Sequence, residues 1–325
     1  MKDGTILGLR GGGGGGTRRS TSAQTDQGEH VKQAVAPTTA RAGYPVVLFS
    51  HGLWGTLEMY SSLCAGMAEA GYIVVAMEHE DGSALAAWTA DGAEVPSKMP
   101  PKDMVQTKAT IEAFRQPFLD KRVREMRATA RSVVSSSSSS SSWVGGGGGG
   151  DRVLSEILSC ADTERLFLVG HSFGAATVVR ASQELGSGSG SGVERSVSAA
   201  DADLDLDIAR RVKASVVMDL WSMPLPEPVL SKGIPHPVLF ITSEDFIALP
   251  EIMRHTRRVI ATSNEANGGR AQAVTVGGIA HQSFSDTPYF LPQQLGKRLR
   301  CCGELDRDVA YQGTFIYIRP RIAPL

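Results

Sequence analysis

An α/β fold, with a mostly parallel sheet covered by helices on both faces, is what this sequence of 325 residues predicts. Three observations lead there. Short β-branched runs such as PVVLF, YIVVAM and LFLV have the length and unbroken apolar character of strands buried on both faces. Segments with helical spacing of apolar residues lie between them. The two kinds alternate along the chain, as strand–helix–strand units do. A hydrophobic content of 42% is ample for a core, and one large domain accommodates this length as well as two would.

Residues 1–43 are rich in Gly, Thr, Ser and Gln and read as a disordered segment. PVVLF (45–49) is the first strand. Leu57, Tyr60, Leu63, Cys64 and Met67 then mark a helix over 56–70, ended by Gly71, and YIVVAM (72–77) is a second buried strand. Residues 103–134 read as helical, with Pro117 as a break or kink. Arg124, Arg127 and Arg131 share one face there, read as solvated, with phospholipid head groups as the sharper alternative. The Ser/Gly tract at 135–150 cannot build a core and reads as a flexible insertion. A short helix (151–159) and the strand 166–169 follow. A second low-complexity insertion covers 185–207, and 214–218, 237–241 and 273–276 read as further strands. Insertions placed between elements are what a surface loop tolerates. Residues 301–325 form a tail to which the sequence assigns no role.

Bulk properties exclude several classes of function. A net charge of −1 gives no electrostatic reason to expect a nucleic-acid partner. Cys64, Cys160, Cys301 and Cys302 show no metal-ligand spacing and suit a reducing compartment. The N-terminus lacks the apolar core of a signal peptide, and no run approaches the length of a membrane span. A soluble cytoplasmic protein is therefore expected; the oligomeric state is left open.

The chemistry centres on LFLVGHSFGAATVV (166–179). Gly-x-Ser-x-Gly is a permissive pattern alone, but here a buried strand precedes it and a helix-compatible run follows, as a nucleophile elbow requires. The glycines at 170 and 174 let backbone pass closely, so Ser172 is the candidate nucleophile. A serine hydroxyl needs a base. Among seven histidines, His281 follows a late strand and the Gly277-Gly278 loop, which fits the Ser…Asp…His order of α/β-hydrolases. His51 reads as structural, and His171, inside the elbow, as pointing away from the hydroxyl. For the acid, Asp219 follows one strand and Glu244 and Asp245 follow the next; spacing alone does not choose between Asp219 and Asp245. Asp286 reads as a local cap. Two backbone N–H groups must receive the oxyanion: Phe173, after the nucleophile, and Leu53, in the loop of FSHGLWG (49–55).

Six segments, VVLFSHGLWG, GYIVVAMEHEDGSA, LVGHSFGAATVV, VVMDLWSMPL, IPHPVLFITSEDF and GGIAHQSFSD, together resemble the platelet-activating-factor acetylhydrolase family of the plasma and type II intracellular kind. They stand in family order from about residue 44 to 290. The resemblance implies an α/β-hydrolase catalytic domain over 44–300, acting as a calcium-independent serine phospholipase A2 on short or oxidised sn-2 acyl esters. It implies no metal or organic cofactor, and a phospholipid substrate met at a membrane or lipid-particle surface. On the family's D-x-W segment the acid is Asp219, beside Ser172, His281 and the Leu53 and Phe173 N–H groups. Trp221 and Met223 then fall near the mouth of the site or in the core. Two departures stand out: Glu80 occupies the position of a basic residue in E-H-R-D, and disordered sequence replaces the strands expected before HGL. The rival readings are an esterase of the same fold acting on small soluble or polyester substrates with Asp245 as acid, and a hydrolase-fold binding protein without catalysis.

Overall fold

The structure, a computed structural model, describes residues 5–10, 43–89, 91–138, 149–187 and 199–322. The strands are β1 (Thr5–Arg10), β2 (Tyr44–Ser50), β3 (Ile73–Glu78), β4 (Ala87–Trp88), β5 (Glu94–Val95), β6 (Ala161–His171), β7 (Val212–Met218), β8 (Val238–Ser243) and β9 (Ala271–Val276). Seven of them form one all-parallel sheet in the order β1-β3-β2-β6-β7-β8-β9, while β4 and β5 make a small antiparallel pair. The helices are α1 (Ser61–Glu69), α2 (Lys108–Ser138), α3 (Gly149–Ser159), α4 (Phe173–Leu185), α5 (Ala199–Arg211), α6 (Glu227–Lys232), α7 (Glu244–Ile247), α8 (Pro250–Asn267), α9 (Gln293–Arg298) and α10 (Arg307–Ile322).

Both faces of the sheet are covered, which is why its strands read as continuous apolar runs. Val46, Leu48, Val75, Leu166 and Leu168 face a layer built from α2, α4, α6 and α8. Val47, Phe49, Val74, Phe167 and Val169 face the opposite way, onto Leu63 and Met67 of α1 and Ala310 and Ile318 of α10. The tail at 301–325 thus contributes a helix to the second layer, and the Tyr311 hydroxyl donates to the Ser62 carbonyl at 2.9 Å.

Three expectations change. Within 1–43, Thr5–Arg10 form the edge strand beside β3, so the sheet gains an edge that composition alone had averaged into its Gly-rich surroundings; residues 11–42 lie outside the described residues. The insertions at 135–150 and 185–207 are narrower than expected: α2 runs to Ser138, α3 begins at Gly149 and α5 at Ala199, and residues 139–148 and 188–198 lie outside the described residues. Helix α2 also continues through Pro117, which sits on its exposed side, where the carbonyl left without a donor is open to water.

The arginine face of α2 is not a uniformly solvated or lipid-facing surface. Arg127 is buried, with Nε donating to Asp205 at 3.1 Å and Nη1 to Glu184 at 3.3 Å, and Arg131 donates to Asp205 at 2.8 Å. Arg124 is exposed. Helix α4 is buried along its whole length, and Arg180 pairs with Glu184 at 2.8 Å within it. These pairs compensate charges that burial would otherwise penalise.

A second polar line joins β2, β3 and α2. His79 lies 2.8 Å from Ser50 Oγ through Nε2 and 2.6 Å from Glu125 Oε2 through Nδ1. Burial, reinforced by Asp81, pushes Glu125 up to about 8, and burial, reinforced by Arg122, pushes His79 well below its ordinary value. At neutral pH the pair is therefore uncharged, with Glu125 donating its proton to Nδ1 and Nε2–H donating to Ser50. Unfolded, Glu125 releases its proton near 4.5; folded, it keeps it to about 8. Folding binds a proton in that window, so this group's contribution makes stability fall as pH rises through it. Glu125→Gln is expected to flatten that slope, as read from urea unfolding at pH values spanning the window.

Candidate active site

Strand order reverses at β2: the next strand, β3, lies on one side of it and β6 on the other. In open parallel sheets the cleft at the carboxyl ends of such a switch point is where ligands bind. Ser50 is paired in register with Gly170, so the loops that leave β2 and β6 emerge side by side.

Ser172 sits between β6 and α4 with φ 57° and ψ −112°, a conformation L residues rarely adopt. Its N–H donates to the Met218 carbonyl at 2.9 Å, and its carbonyl accepts from the Trp221 N–H at 3.2 Å. A Cβ at Gly170 would run into the Gly174 carbonyl, and one at Gly174 into the Ser50 carbonyl. Both glycines are thus required by close approach.

His281 follows β9 and the Gly277-Gly278 turn. Its Nε2 lies 3.1 Å from Ser172 Oγ, and its Nδ1 lies 2.8 Å from Asp219 Oδ2. Asp219 is fully buried at a φ of 44° and accepts from the Ser243 N–H at 2.7 Å and hydroxyl at 2.5 Å. With every partner of the carboxylate a donor, Nδ1 carries the imidazole proton and Nε2 is left to accept from the serine. Asp245 does not reach the imidazole in this arrangement: its carboxylate accepts the His281 backbone N–H at 3.1 Å, and Glu244 accepts that of Gly278 at 2.7 Å. Asp245, which spacing left as the rival of Asp219, and its neighbour Glu244 therefore hold the loop that carries the histidine. The Phe246 ring stacks on His281 with centroids 4.5 Å apart and an interplanar angle of 7°. His171 also packs against it, with centroids 4.4 Å apart at a tilt of 40°.

The loop after β2 is fixed group by group. The His51 carbonyl accepts from Arg122 Nη1 at 2.6 Å, and the Gly52 N–H donates to the Tyr60 hydroxyl at 3.0 Å. The Gly52 carbonyl accepts from the Gly55 N–H at 3.1 Å and His51 Nδ1 at 2.8 Å, and the Trp54 N–H donates to the Ser83 carbonyl at 2.7 Å. A Cβ on Gly52 would lie 3.3 Å from the Ser172 Cβ, which places this loop against the nucleophile. The N–H groups of Leu53 and Phe173 have no acceptor among the described residues.

Tyr60 links loop and elbow. Having accepted from Gly52, its hydroxyl donates to His171 Nδ1 at 2.8 Å; burial pushes Tyr60 up and keeps it protonated, while burial and His281 hold His171 well below its usual range. Among the described residues the group with metal-ligand spacing is His171, Asp219 and His281, within 4.8 Å of one another. Both imidazole nitrogens of His281 are already engaged by the serine and the carboxylate.

Other expected residues find structural places. His51 is buried in the loop, and Asp286 accepts the Ser62 N–H at the start of α1 through both oxygens at 3.2 Å. Trp221 packs edge-on against Phe173, and Met223 is buried. Glu80 lies 3.7 Å from Lys121, so the departure from the basic residue is matched by a lysine on α2. Sequence reasoning missed Arg122, Tyr60, Ser243 and Phe246. Asp81, which follows Glu80 and keeps the acidic end of the E-H-R-D pattern, was the one signal toward Arg122, whose Nε donates to it at 2.9 Å. Burial pushes Asp81 up, but Arg122 and the Ser83 hydrogen bonds outweigh it and leave its carboxyl below the usual range.

The model of the family described as platelet-activating factor acetylhydrolase, isoform II, matches residues 19–318. The platelet-activating factor acetylhydrolase of Canis lupus familiaris is 26% identical over 280 residues, covering 85% of this chain and 55% of that protein. That of Gallus gallus is 26% identical over 279 residues, covering 82% and 58%. A putative phospholipase A2 of Schizosaccharomyces pombe is 24% identical over 294 residues, covering 81% and 63%. The chain spans a little over half the length of the acetylhydrolases it matches. Among solved structures, a ferulic acid esterase from Streptomyces cinnamoneus superposes with a TM-score of 0.57 at 19% identity, covering 87% of this chain and 67% of that one. That likeness is one of fold, and with the parallel sheet it makes this an α/β-hydrolase fold. Since the family model runs through every strand from β2 to β9, the chain belongs to the platelet-activating factor acetylhydrolase, isoform II, family.

Proposed function

We propose that the chain is a serine hydrolase that cleaves the sn-2 acyl ester of phospholipids bearing short or oxidised acyl chains. The observation that carries this reading is the continuous line from Ser172 Oγ through His281 to Asp219, at 3.1 and 2.8 Å, beside two N–H groups without acceptors among the described residues. The names of the relatives, acetylhydrolase and phospholipase A2, supply the substrate class.

In this mechanism His281 Nε2 takes the Ser172 proton as Oγ attacks the ester carbonyl. Asp219 holds the proton-bearing Nδ1 and stabilises the imidazolium that forms. The tetrahedral oxyanion accepts from the Leu53 and Phe173 N–H groups, at the N-terminus of α4, whose dipole favours negative charge. The imidazolium returns its proton to the departing lysophospholipid oxygen. Water, deprotonated by the same imidazole, then releases the acyl group from the serine. No helix among the described residues is long and apolar enough to cross a membrane. Trp54 in the loop after β2, Ile247 at the end of α7 and Leu249 just before α8 are exposed apolar residues on segments that follow the carboxyl ends of β2 and β8, suited to meeting a lipid surface.

Two measurements test this. Hydrolysis of phosphatidylcholines with sn-2 chains of increasing length is expected to be fastest for acetyl and to vanish in Ser172→Ala. A flat chain-length profile would remove the proposed preference, and unchanged turnover in Ser172→Ala would remove the nucleophile. Asp219→Asn is expected to lower kcat about 10⁴-fold by leaving His281 in the wrong tautomer. Asp245→Asn, which touches only the backbone, is expected to cost less than about tenfold. The reverse order would make Asp245 the acid.

A further inference from the structure

Around Leu53, three consecutive peptide units are anchored: the first at both its carbonyl and its N–H, the second at its carbonyl, the third at its N–H. The Leu53 N–H, in the second unit, is left over. Most of these anchors come from the loop itself or from segments beside it, but the His51 carbonyl is held from α2, about seventy positions along the chain, by Arg122. That side chain is fully buried. Its Nη1 reaches the His51 carbonyl at 2.6 Å, its Nη2 reaches Ser83 Oγ at 2.6 Å, and its Nε reaches Asp81 Oδ2 at 2.9 Å and Ser83 Oγ at 3.0 Å. The face of the same guanidinium lies 4.6 Å from the centroid of the Phe173 ring.

One cation therefore touches both segments that carry an N–H group without an acceptor among the described residues, although these leave different strands. We propose that Arg122 is a positioning residue that fixes the Leu53 segment relative to Phe173, so that the oxyanion hole is assembled before substrate arrives. The inference rests on the reading of Ser172 as the nucleophile. Its physical basis is that donors stabilise a developing oxyanion in proportion to how little they must reorient during the reaction. A free His51–Gly52 peptide would be able to flip and carry the next N–H with it. The planar fork suits this task because three directions must be served at once: the loop carbonyl, the Asp81–Ser83 pair, and the aromatic face. A lysine ammonium serves one or two of them. Asp81 compensates the buried charge, and Ser83 ties the assembly back to the loop, since its own carbonyl holds the Trp54 N–H.

The test uses the full chain with p-nitrophenyl acetate as substrate and a trifluoromethyl ketone as a probe that forms an oxyanion adduct on the serine. Arg122→Lys is expected to lower kcat about 10- to 100-fold while KM stays within about twofold, and to weaken ketone binding by a matching factor. Ser83→Ala, which loosens the guanidinium without removing a charge, is expected to shift both quantities in the same direction by a smaller factor. Leu119→Ala, in the core beneath the same helix, is expected to lower Tm while leaving kcat and ketone affinity within about twofold of the parent. Should Arg122→Lys fail to fold, Ser83→Ala decides. Retained kcat and ketone affinity in the folded variants would overturn the proposal, as would a fall in kcat that ketone affinity does not follow. A parent chain that neither turns over ester nor binds the ketone would instead overturn the nucleophile reading on which the proposal stands.

Discussion

Ser172 keeps a backbone conformation that costs on the order of 1–3 kcal/mol, and it keeps it because both its peptide groups are tied to the neighbouring strand's end. Its N–H is bound to Met218, the last residue of β7, and its carbonyl to Trp221, two residues past Asp219. The strained turn and the acid are thus parts of one hydrogen-bonded unit. Asp219, itself at positive φ, is placed by the same bonds that hold the serine. His281 needs only to close the gap, and it is steadied by a carboxylate on its backbone and by the Phe246 and His171 rings packed against it. Disturbing β7 relative to β6 would therefore misplace nucleophile and acid together.

The molecule contains two serine–histidine–carboxyl lines with nearly the same spacing and opposite polarity. In Ser50–His79–Glu125 the carboxyl is deprived of water and keeps its proton, so hydrogen bonds run from acid to imidazole to serine. In Ser172–His281–Asp219 the carboxylate is supplied with two donors from Ser243, and the bonds run from serine to imidazole to acid. Only the second direction makes a serine nucleophilic. The first also lies with its serine fully buried, out of reach of any ester. Residue type and distance alone would not separate them: Asp219 takes both an N–H and a hydroxyl from Ser243, whereas at Glu125 burial and Asp81 outweigh the Glu80 N–H at 3.2 Å and Lys121 at 3.8 Å.

Much of this was legible in the sequence, for identifiable reasons. Buried parallel strands announce themselves as apolar runs, so the central strands stood within a few residues of their observed limits, and Gly-x-Ser-x-Gly between strand and helix located the elbow. Asp219 and Asp245 were not separable by spacing because both follow the ends of adjacent strands. Their difference is one of side-chain direction, set by a positive φ at Asp219 and a helical turn at Asp245. Arg127 and Arg131 of α2 were misread because their acidic partners, Asp205 and Glu184, lie more than fifty positions away, the first in a stretch whose composition resembles a linker. Arg122 was missed for the same reason: nothing local distinguishes a buried arginine from a solvated one when its partners come from other strands.

Helix α4 carries the chain from the catalytic edge of the sheet to the opposite one. Its last turn ends at Leu185, and Gly186 lies beside Pro235, shortly before β8 begins. The chain leaves the described region from that far edge and returns at α5, which leads into the start of β7. The chain therefore departs toward residues 188–198 from the end of α4 that is remote from Ser172. Because the helix end that leads to this stretch lies away from the cleft, a change in the length of the repetitive Ser-Gly sequence there need not displace Ser172, whose position is set by bonds to the end of β7 at the other edge.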